Sequence, residues 1–221
     1  MDDQSGMSAP ELTNGHAGRT QAYGQSGGLT PVDRFGTWLS MRSLRRATGG
    51  GPARRLGDFG CGYEARTTRQ LLGSTTHAVV VDVALSPDLK ADERITAIEG
   101  RLPASLAAVP DASLDLVLCL SVLEHLDEPD RMLTELRRVT APGGICVVNV
   151  PSWIGKRFLE FSAFRLGLSP REEMDDHRTY YDPKDLWPML VRAGFVPHNI
   201  ACRRHKFGLN TLAVCRVDQP G

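Results

Sequence analysis

Apolar residues in this chain fall into short runs that are separated by amphipathic stretches and by turns containing glycine and proline. The run at residues 77–84, HAVVVDVA, is rich in β-branched side chains. Such a run is typical of a strand that is buried on both faces of a parallel sheet. Residues 31–48 instead place large apolar side chains at nearly helical spacing, which predicts a helix that ends at the sequence GGGP.

Strand and helix patterns alternate along the middle of the chain. Strands are predicted at residues 55–59, 77–84, 94–100, 113–120 and 145–151. Helices are predicted at residues 64–72, 129–138 and 185–193, and the sequence APGG at 141–144 is predicted to form a turn. This alternation favours a doubly wound parallel sheet that binds its ligands at the carboxyl ends of the strands.

The end of the chain has a different pattern. Two strands are predicted at residues 195–204 and 210–217, and the short link between them requires an antiparallel pair. The predicted fold class is therefore α/β, with a doubly wound, mostly parallel seven-stranded sheet of the Rossmann-like type that ends in an antiparallel strand. Residues 1–30 are predicted to form a flexible tail or lid, and residues 31–217 a single domain with an insertion at 152–182.

Composition and charge narrow the possible functions. Lys plus Arg equals Asp plus Glu, 26 each, so a nucleic-acid partner is not expected. No apolar run approaches the roughly 20 residues that span a bilayer, and the amino terminus lacks the apolar core of a signal peptide. The five cysteines lack the spacing of metal ligands. We therefore predict a cytoplasmic protein with reduced cysteines and no metal site.

The segment at residues 54–66, RRLGDFGCGYEAR, carries the main candidate chemistry. Gly60 and Gly62 follow the first predicted strand, where a ligand can lie against the backbone. Asp58 would repel the phosphates of a dinucleotide but would favour a cationic cofactor. S-adenosylmethionine carries a sulfonium and an ammonium group and no phosphate. Asp82 ends the second strand about 20 residues later, where an acid can accept both ribose hydroxyls.

The order of motifs resembles that of class I S-adenosylmethionine-dependent methyltransferases. GDFGCGYE followed by VVVDVA resembles their first two motifs, and LPASLAAVPDASLDLVLCLSVLEHL the next two. ELRRVTAPGGICVVNVP and the final hairpin resemble the rest, so that the likeness covers roughly residues 50–217. Small stand-alone methyltransferases of sugar, polysaccharide and secondary-metabolite biosynthesis are the most similar group. The resemblance implies methyl transfer from S-adenosylmethionine to a small-molecule acceptor.

The resemblance also implies a cofactor site. Its expected residues are Asp58, Gly60, Cys61, Gly62, Asp82, Val83, Arg101, Leu102, Ser121 and Val122. The glycine segment would line the methionine end, Asp82 and Val83 would hold ribose and adenine, and the pair at 101–102, together with Gly100, would pass under the adenine ring. Ser121 and Val122 would close the pocket floor. The chain departs from the family pattern at Glu64, where a small residue is usual, and at Arg101, where an acid is frequent.

Two histidines are candidate catalytic residues. His177, in DDHRTYYDP, would lie at the acceptor mouth and act as the base for a hydroxyl, with Asp175 or Asp176 as its partner. His125, in LEHL, either contacts the acceptor or cofactor or belongs to a structural pair with Glu124. The alternative for His177 is that it is a loop residue whose side chain hydrogen-bonds to the backbone.

Several alternatives remain open from the sequence. An apolar helical face at residues 152–168 suits core packing, a lid over the acceptor, a homodimer interface or, least of all, a membrane contact. Nitrogen or carbon acceptors, or a protein that binds the cofactor without turnover, are alternatives to hydroxyl methylation. A nicotinamide oxidoreductase is disfavoured, because Pro183 separates Tyr180 from Lys184 in the only Tyr-x-x-x-Lys pattern.

Overall fold

The computed structural model describes residues 22, 31–48, 54–156 and 179–219 of the chain. The strands of the sheet are β1 (Arg55–Phe59), β2 (His77–Asp82), β3 (Ile95–Glu99), β4 (Leu114–Leu120), β5 (Thr140–Pro151), β6 (Ile200–His205) and β7 (Asn210–Arg216). The described helices are α1 (Pro31–Ala47), α2 (Arg66–Leu71), α3 (Pro87–Ala91), α4 (Pro129–Val139) and α5 (Pro183–Arg192).

The seven strands form one sheet in the order β3-β2-β1-β4-β5-β7-β6. The pairs among β1 to β5 are parallel, whereas β7 is antiparallel to both of its neighbours, β5 and β6. The predicted fold class is confirmed. The strand order reverses between β1 and β4, and in open α/β sheets ligands bind at the carboxyl ends of strands at such a reversal.

Some predicted boundaries are wrong for local reasons. The helix after the glycines begins at Arg66, because Ala65 takes a left-handed conformation with φ of 42°. The predicted turn at 141–144 lies inside β5, where the pairing with β4 shifts register and Gly143 takes φ of +76°. The strand predicted from residue 195 begins at Ile200, because a short 3-10 helix, Pro197–Asn199, precedes it.

The sheet separates two apolar clusters. Leu116 and Leu118 of β4 belong to the cluster covered by α1, and Val117 and Cys119 belong to the cluster covered by α4 and α5. This alternation follows from the period of two along a strand. Because both faces of the central strands are covered by apolar side chains, these strands can offer polar groups to a ligand only at their ends.

Within the described ranges, no helix has both the length and the apolar character that crossing a bilayer requires. The same part of the chain contains no group of three or more His, Cys, Asp or Glu side chains placed to hold a metal ion. The tail at 1–30, apart from residue 22, and most of the 152–182 insertion lie outside the described residues. Their assignment as tail and insertion stays a prediction.

Candidate functional site

The carboxyl ends of β1 and β4 meet at the reversal of the sheet. Gly60 directly follows β1 with φ of +80°, and Ser121 directly follows β4 with φ of 59°. A methyl group on Gly60 would lie only 2.1 Å from Cγ2 of Val122. The glycine segment is therefore adjacent to Ser121 and Val122, the residues predicted to form the pocket floor.

Asp82 fixes the glycine segment to the end of β2. Its Oδ2 accepts a hydrogen bond of 2.8 Å from the backbone N–H of Gly62, and its Oδ1 accepts one of 2.7 Å from that of Val83. The amide of Gly60 donates to the carbonyl of Val81 at 2.8 Å. Each carboxylate oxygen can accept more than one hydrogen bond. Asp82 is half-buried, so it can also accept from a ligand in the same position.

Asp58 lies beneath the glycine segment and is only 2% exposed. Its Oδ2 accepts a hydrogen bond of 2.7 Å from the hydroxyl of Thr68. Burial raises the pKa of Asp58 to about 6; the bond from Thr68 opposes this shift, and the charge of Asp82 adds to it. The burial of Asp58 means that its carboxylate would act on a ligand mainly through its electric field.

Cys61 lies between the two glycines and is half-buried. Burial, followed by the charges of Asp58 and Asp82, raises the pKa of its thiol. The thiol donates a hydrogen bond of 3.3 Å to the carbonyl of Gly62. The side chain therefore remains a neutral thiol and contributes to the shape of the site, because the thiolate is the nucleophilic form.

The Asp58→Asn variant is expected to be more stable than the original protein at pH 7.5, by about 2–3 kcal/mol. The folded-state pKa of about 6 lies above the ordinary pKa of 3.8 for an aspartate side chain. The carboxyl therefore stabilises the fold fully below pH 3.8, and this contribution is lost as the pH rises through 6. Urea unfolding between pH 4 and 8 measures the difference. Equal pH profiles for the two proteins would contradict a buried carboxyl with a raised pKa.

Asp115→Asn is the matched control, with the opposite sign. Partial burial acts to raise the pKa of Asp115, but its hydrogen bonds with Arg55, which include one of 2.8 Å, lower that pKa overall. Its contribution to stability is present above the unfolded pKa and is lost as the pH falls. Asp115→Asn should therefore reduce stability at pH 7.5, by less than about 1 kcal/mol for so exposed a pair.

The predicted adenine side lies at the ends of β2 and β3, where Asp82 pairs with Glu99. The amide of Gly100 donates to the carbonyl of Asp82 at 2.9 Å. Arg101 is exposed, and Leu102 is half-buried against the apolar cluster on the α4 side. The structure therefore brings Arg101 and Leu102 beside Asp82 and Val83. Glu64, which departs from the family pattern, approaches Arg69 to 3.9 Å.

Of the two candidate catalytic histidines, only His125 lies among the described residues. It ends the 3-10 helix Leu123–His125, and its amide donates to the carbonyl of Val122 at 3.0 Å. Its neighbour Glu124 is 1% exposed. Burial raises the pKa of Tyr181, and the charge of Glu124 adds to this shift. His177, with Asp175 and Asp176, lies outside the described residues.

The sequence reasoning missed Asn149, a polar residue that is 2% exposed at the end of β5. Its carbonyl accepts a hydrogen bond of 2.7 Å from the amide of Ser121, which ties β5 to the pocket floor. The available signal was a single amide side chain within the apolar run ICVVNVP. A polar residue at a buried strand position is an informative exception, because buried polar atoms are nearly always hydrogen-bonded.

A second group of residues that the sequence analysis did not identify lies at the two ends of the 152–182 insertion. The rings of Trp153 and Tyr180 are 5.6 Å apart, and Nζ of Lys156 lies 5.5 Å from the centre of each. Tyr180 precedes α5, which begins at Pro183, so Tyr180 and Lys184 do not share a helix. The arrangement of a dehydrogenase Tyr-Lys pair is therefore absent from these residues.

Two similar curated proteins are methyltransferases by name. An uncharacterized methyltransferase of Mycolicibacterium gilvum is 40% identical over 68 residues, which are 30% of this chain and 25% of that protein. The ubiquinone biosynthesis O-methyltransferase of Psychrobacter arcticus is 29% identical over 99 residues, 43% of this chain and 38% of that protein. The matched segments thus span well under half the length of these relatives.

The fold is shared with solved methyltransferase structures. One is the 1,6-didemethyltoxoflavin-N1-methyltransferase of Burkholderia thailandensis, solved with 1,6-didemethyltoxoflavin and S-adenosylhomocysteine bound. It aligns with a TM-score of 0.55 and 19% identity, over 85% of this chain and 84% of that chain. Residues 57–148 match the family model described as a methyltransferase domain, and they include the glycine segment, Asp82 and the pocket floor. The predicted resemblance is confirmed: over residues 57–148 this chain is similar to the methyltransferase domain family.

Proposed function

We propose that this chain transfers a methyl group from S-adenosylmethionine to a hydroxyl oxygen of a small molecule, a sugar or a secondary metabolite. The observation that carries the proposal is the carboxylate of Asp82, fixed by Gly62 and Val83 at the reversal of the sheet. The family match over residues 57–148 supports the reaction class. The oxygen acceptor is favoured because a histidine base suits a hydroxyl, and one similar protein is named an O-methyltransferase.

The residues at the site fit this cofactor. The absence of a side chain on Gly60 lets Val122 of the pocket floor pack directly against the backbone at the end of β1, because a Cβ there would clash with Val122. Asp58 and Asp82 create a negative field, which favours a sulfonium and an ammonium group and disfavours phosphates. Asp82 would accept the ribose hydroxyls, Val83 and Leu102 would pack on the adenine, and Ser121 and Val122 would bound the methyl end. When bound, the cofactor supplies an activated methyl carbon.

The remaining task of the protein is alignment and proton removal. In methyl transfer to a hydroxyl, a carbon–oxygen bond forms as the carbon–sulfur bond breaks, and the hydroxyl proton must leave. Alignment of donor and acceptor provides much of the rate enhancement in such displacements. We assign the base to His177, with Asp175 or Asp176 holding its second nitrogen. We assign His125 to contact with the acceptor, because the short helix that it ends, Leu123–His125, directly follows the pocket floor.

The direct test incubates the purified full chain with methyl-labelled S-adenosylmethionine and a metabolite extract of its host. We expect labelled methyl groups in a small molecule, together with S-adenosylhomocysteine that forms only when extract is present. Mass spectrometry identifies the labelled atom. Formation of no labelled product, while S-adenosylhomocysteine binds normally, would show a binding protein without turnover.

His177→Ala is expected to lower turnover by about 10²–10⁴-fold at saturating acceptor, as loss of a general base does. Calorimetric affinity for S-adenosylhomocysteine should not change, because the base contacts the acceptor. The matched control is His198→Ala, since His198 is exposed in the short helix before β6, an edge strand of the sheet. Full activity of His177→Ala would end the assignment of the base.

A further inference from the structure

A small cavity lies between α1 and the carboxyl ends of β4 and β5. Its wall combines polar side chains from three elements, Ser40, Asn149 and His205, with the apolar side chains of Leu44, Leu120 and Leu212. Its volume of about 10 Å³ gives room for the centre of one water-sized group. The lining is mainly apolar, and the polar side chains of Ser40, Asn149 and His205 are the groups available to bond to one hydroxyl there.

Two buried polar atoms of the cavity residues have unused hydrogen-bonding capacity. Within the described part of the chain, neither Oδ1 of Asn149 nor Nε2 of His205 has a hydrogen-bond partner. Asn149 is 2% exposed, so bulk water does not reach its side chain freely. Buried polar atoms in folded proteins are nearly always bonded to protein, to ordered water or to a ligand. An occupant that satisfies both atoms is therefore expected.

The chemistry of the two atoms selects the occupant. Nδ1 of His205 lies 3.4 Å from the hydroxyl oxygen of Ser43 on α1. When Ser43 donates to Nδ1, the ring proton is on Nε2, which then donates into the cavity, while Oδ1 of Asn149 accepts. A hydroxyl group can accept from the first and donate to the second, which a carboxylate or an ammonium cannot do. Burial, with the charges of Lys206 and Arg203, lowers the pKa of His205 to about 4 and keeps the ring neutral.

The cavity adjoins the methyl end of the candidate site. The carbonyl of Asn149 accepts from the amide of Ser121, and the next residue, Val122, meets Gly60. We propose that the cavity is a subsite for one hydroxyl group, from water or from the acceptor, held between Asn149 Oδ1 and His205 Nε2. The acceptor as a source rests on the proposed function; the hydroxyl subsite itself does not.

The stability of Asn149→Leu tests whether the subsite is occupied. If a hydroxyl bonds to Asn149, the substitution either leaves that hydroxyl without an acceptor or expels it and leaves His205 Nε2 without a partner. In both cases the melting temperature should fall by about 2–8 °C. If the cavity is dry, the substitution removes an unsatisfied buried amide, and the melting temperature should rise, which would overturn the proposal. Thr211→Val is the control, because the buried Thr211 hydroxyl has no partner in the described chain. Thr211 precedes the cavity residue Leu212 in β7, so its side chain lies on the face of the sheet opposite the cavity. Its melting temperature should stay the same or rise.

Crystals of the full chain with S-adenosylhomocysteine supply the second measurement, which does not depend on the variant folding or on activity. Density for one atom within 3.2 Å of both Asn149 Oδ1 and His205 Nε2 supports the proposal and identifies water as the source. Density for two bonded atoms after a methanol soak also supports it, and shows that the subsite accepts an alcohol. Absence of density in both crystals would overturn it, whether or not the chain methylates a hydroxyl.

Discussion

Replacement of Asp82 by alanine is expected to weaken the binding of S-adenosylhomocysteine by about 10²–10⁴-fold. Two hydrogen bonds from ribose hydroxyls to a carboxylate contribute roughly 3–6 kcal/mol together, and each 1.4 kcal/mol is a factor of ten in affinity. The same carboxylate holds the amides of Gly62 and Val83, so the loop also loses its anchor. Isothermal titration calorimetry measures the change, and unaltered affinity would remove the ribose assignment.

The two roles of Asp82 are separated by changing the ligand. The original protein should bind S-adenosylhomocysteine more tightly than its 2′,3′-dideoxyribose analogue, whereas Asp82→Ala should bind the two alike. Loss of the loop anchor alone would weaken both ligands equally and leave their ratio intact. If the original protein itself does not distinguish the ligands, Asp82 acts only through the loop.

The second large effect is expected from Gly60→Ala. The backbone there has φ of +80°, and a Cβ would lie 2.1 Å from Cγ2 of Val122. A left-handed alanine costs about 1–2 kcal/mol, and overpacking costs about 1–3 kcal/mol. The two together should lower the melting temperature by roughly 5–15 °C. Binding of S-adenosylhomocysteine should fall below detection, because the clash separates the glycine segment from the pocket floor.

Gly73→Ala is the matched control for the loss of a glycine. No heavy atom lies within 4 Å of a Cβ built on Gly73, so its effect should be within about 0.5 kcal/mol. The double variant Gly60→Ala/Val122→Ala should recover part of the lost stability, because the smaller side chain relieves the clash but not the left-handed strain. Equal stability of the single and double variants would show that the contact with Val122 is not the cause.

Local patterns predicted most of the architecture. Residues 55–59, 77–84 and 113–120 were predicted to form strands, the run at 77–84 as a strand buried on both faces, and each segment forms an interior strand of the sheet. The short link before β7 required an antiparallel pair, and β6 and β7 form one. Predicted ends failed where a single residue decides, as at Ala65, whose left-handed conformation delays α2.

The α/β class, the parallel core and the glycine segment with Asp58 could be predicted from the sequence, because each depends on residues close together in the chain. The burial of Asp58 and the partial exposure of Asp82 depend on neighbouring strands. Which of the two carboxylates can contact a ligand therefore follows from the tertiary structure and not from the local sequence. The tertiary structure alone placed β7 between β5 and β6 and brought Asn149 to the same cavity as His205, 56 residues later in the chain. Contacts between distant residues are set by how strands pair and helices cover them, and no local pattern of apolar and polar positions encodes that choice.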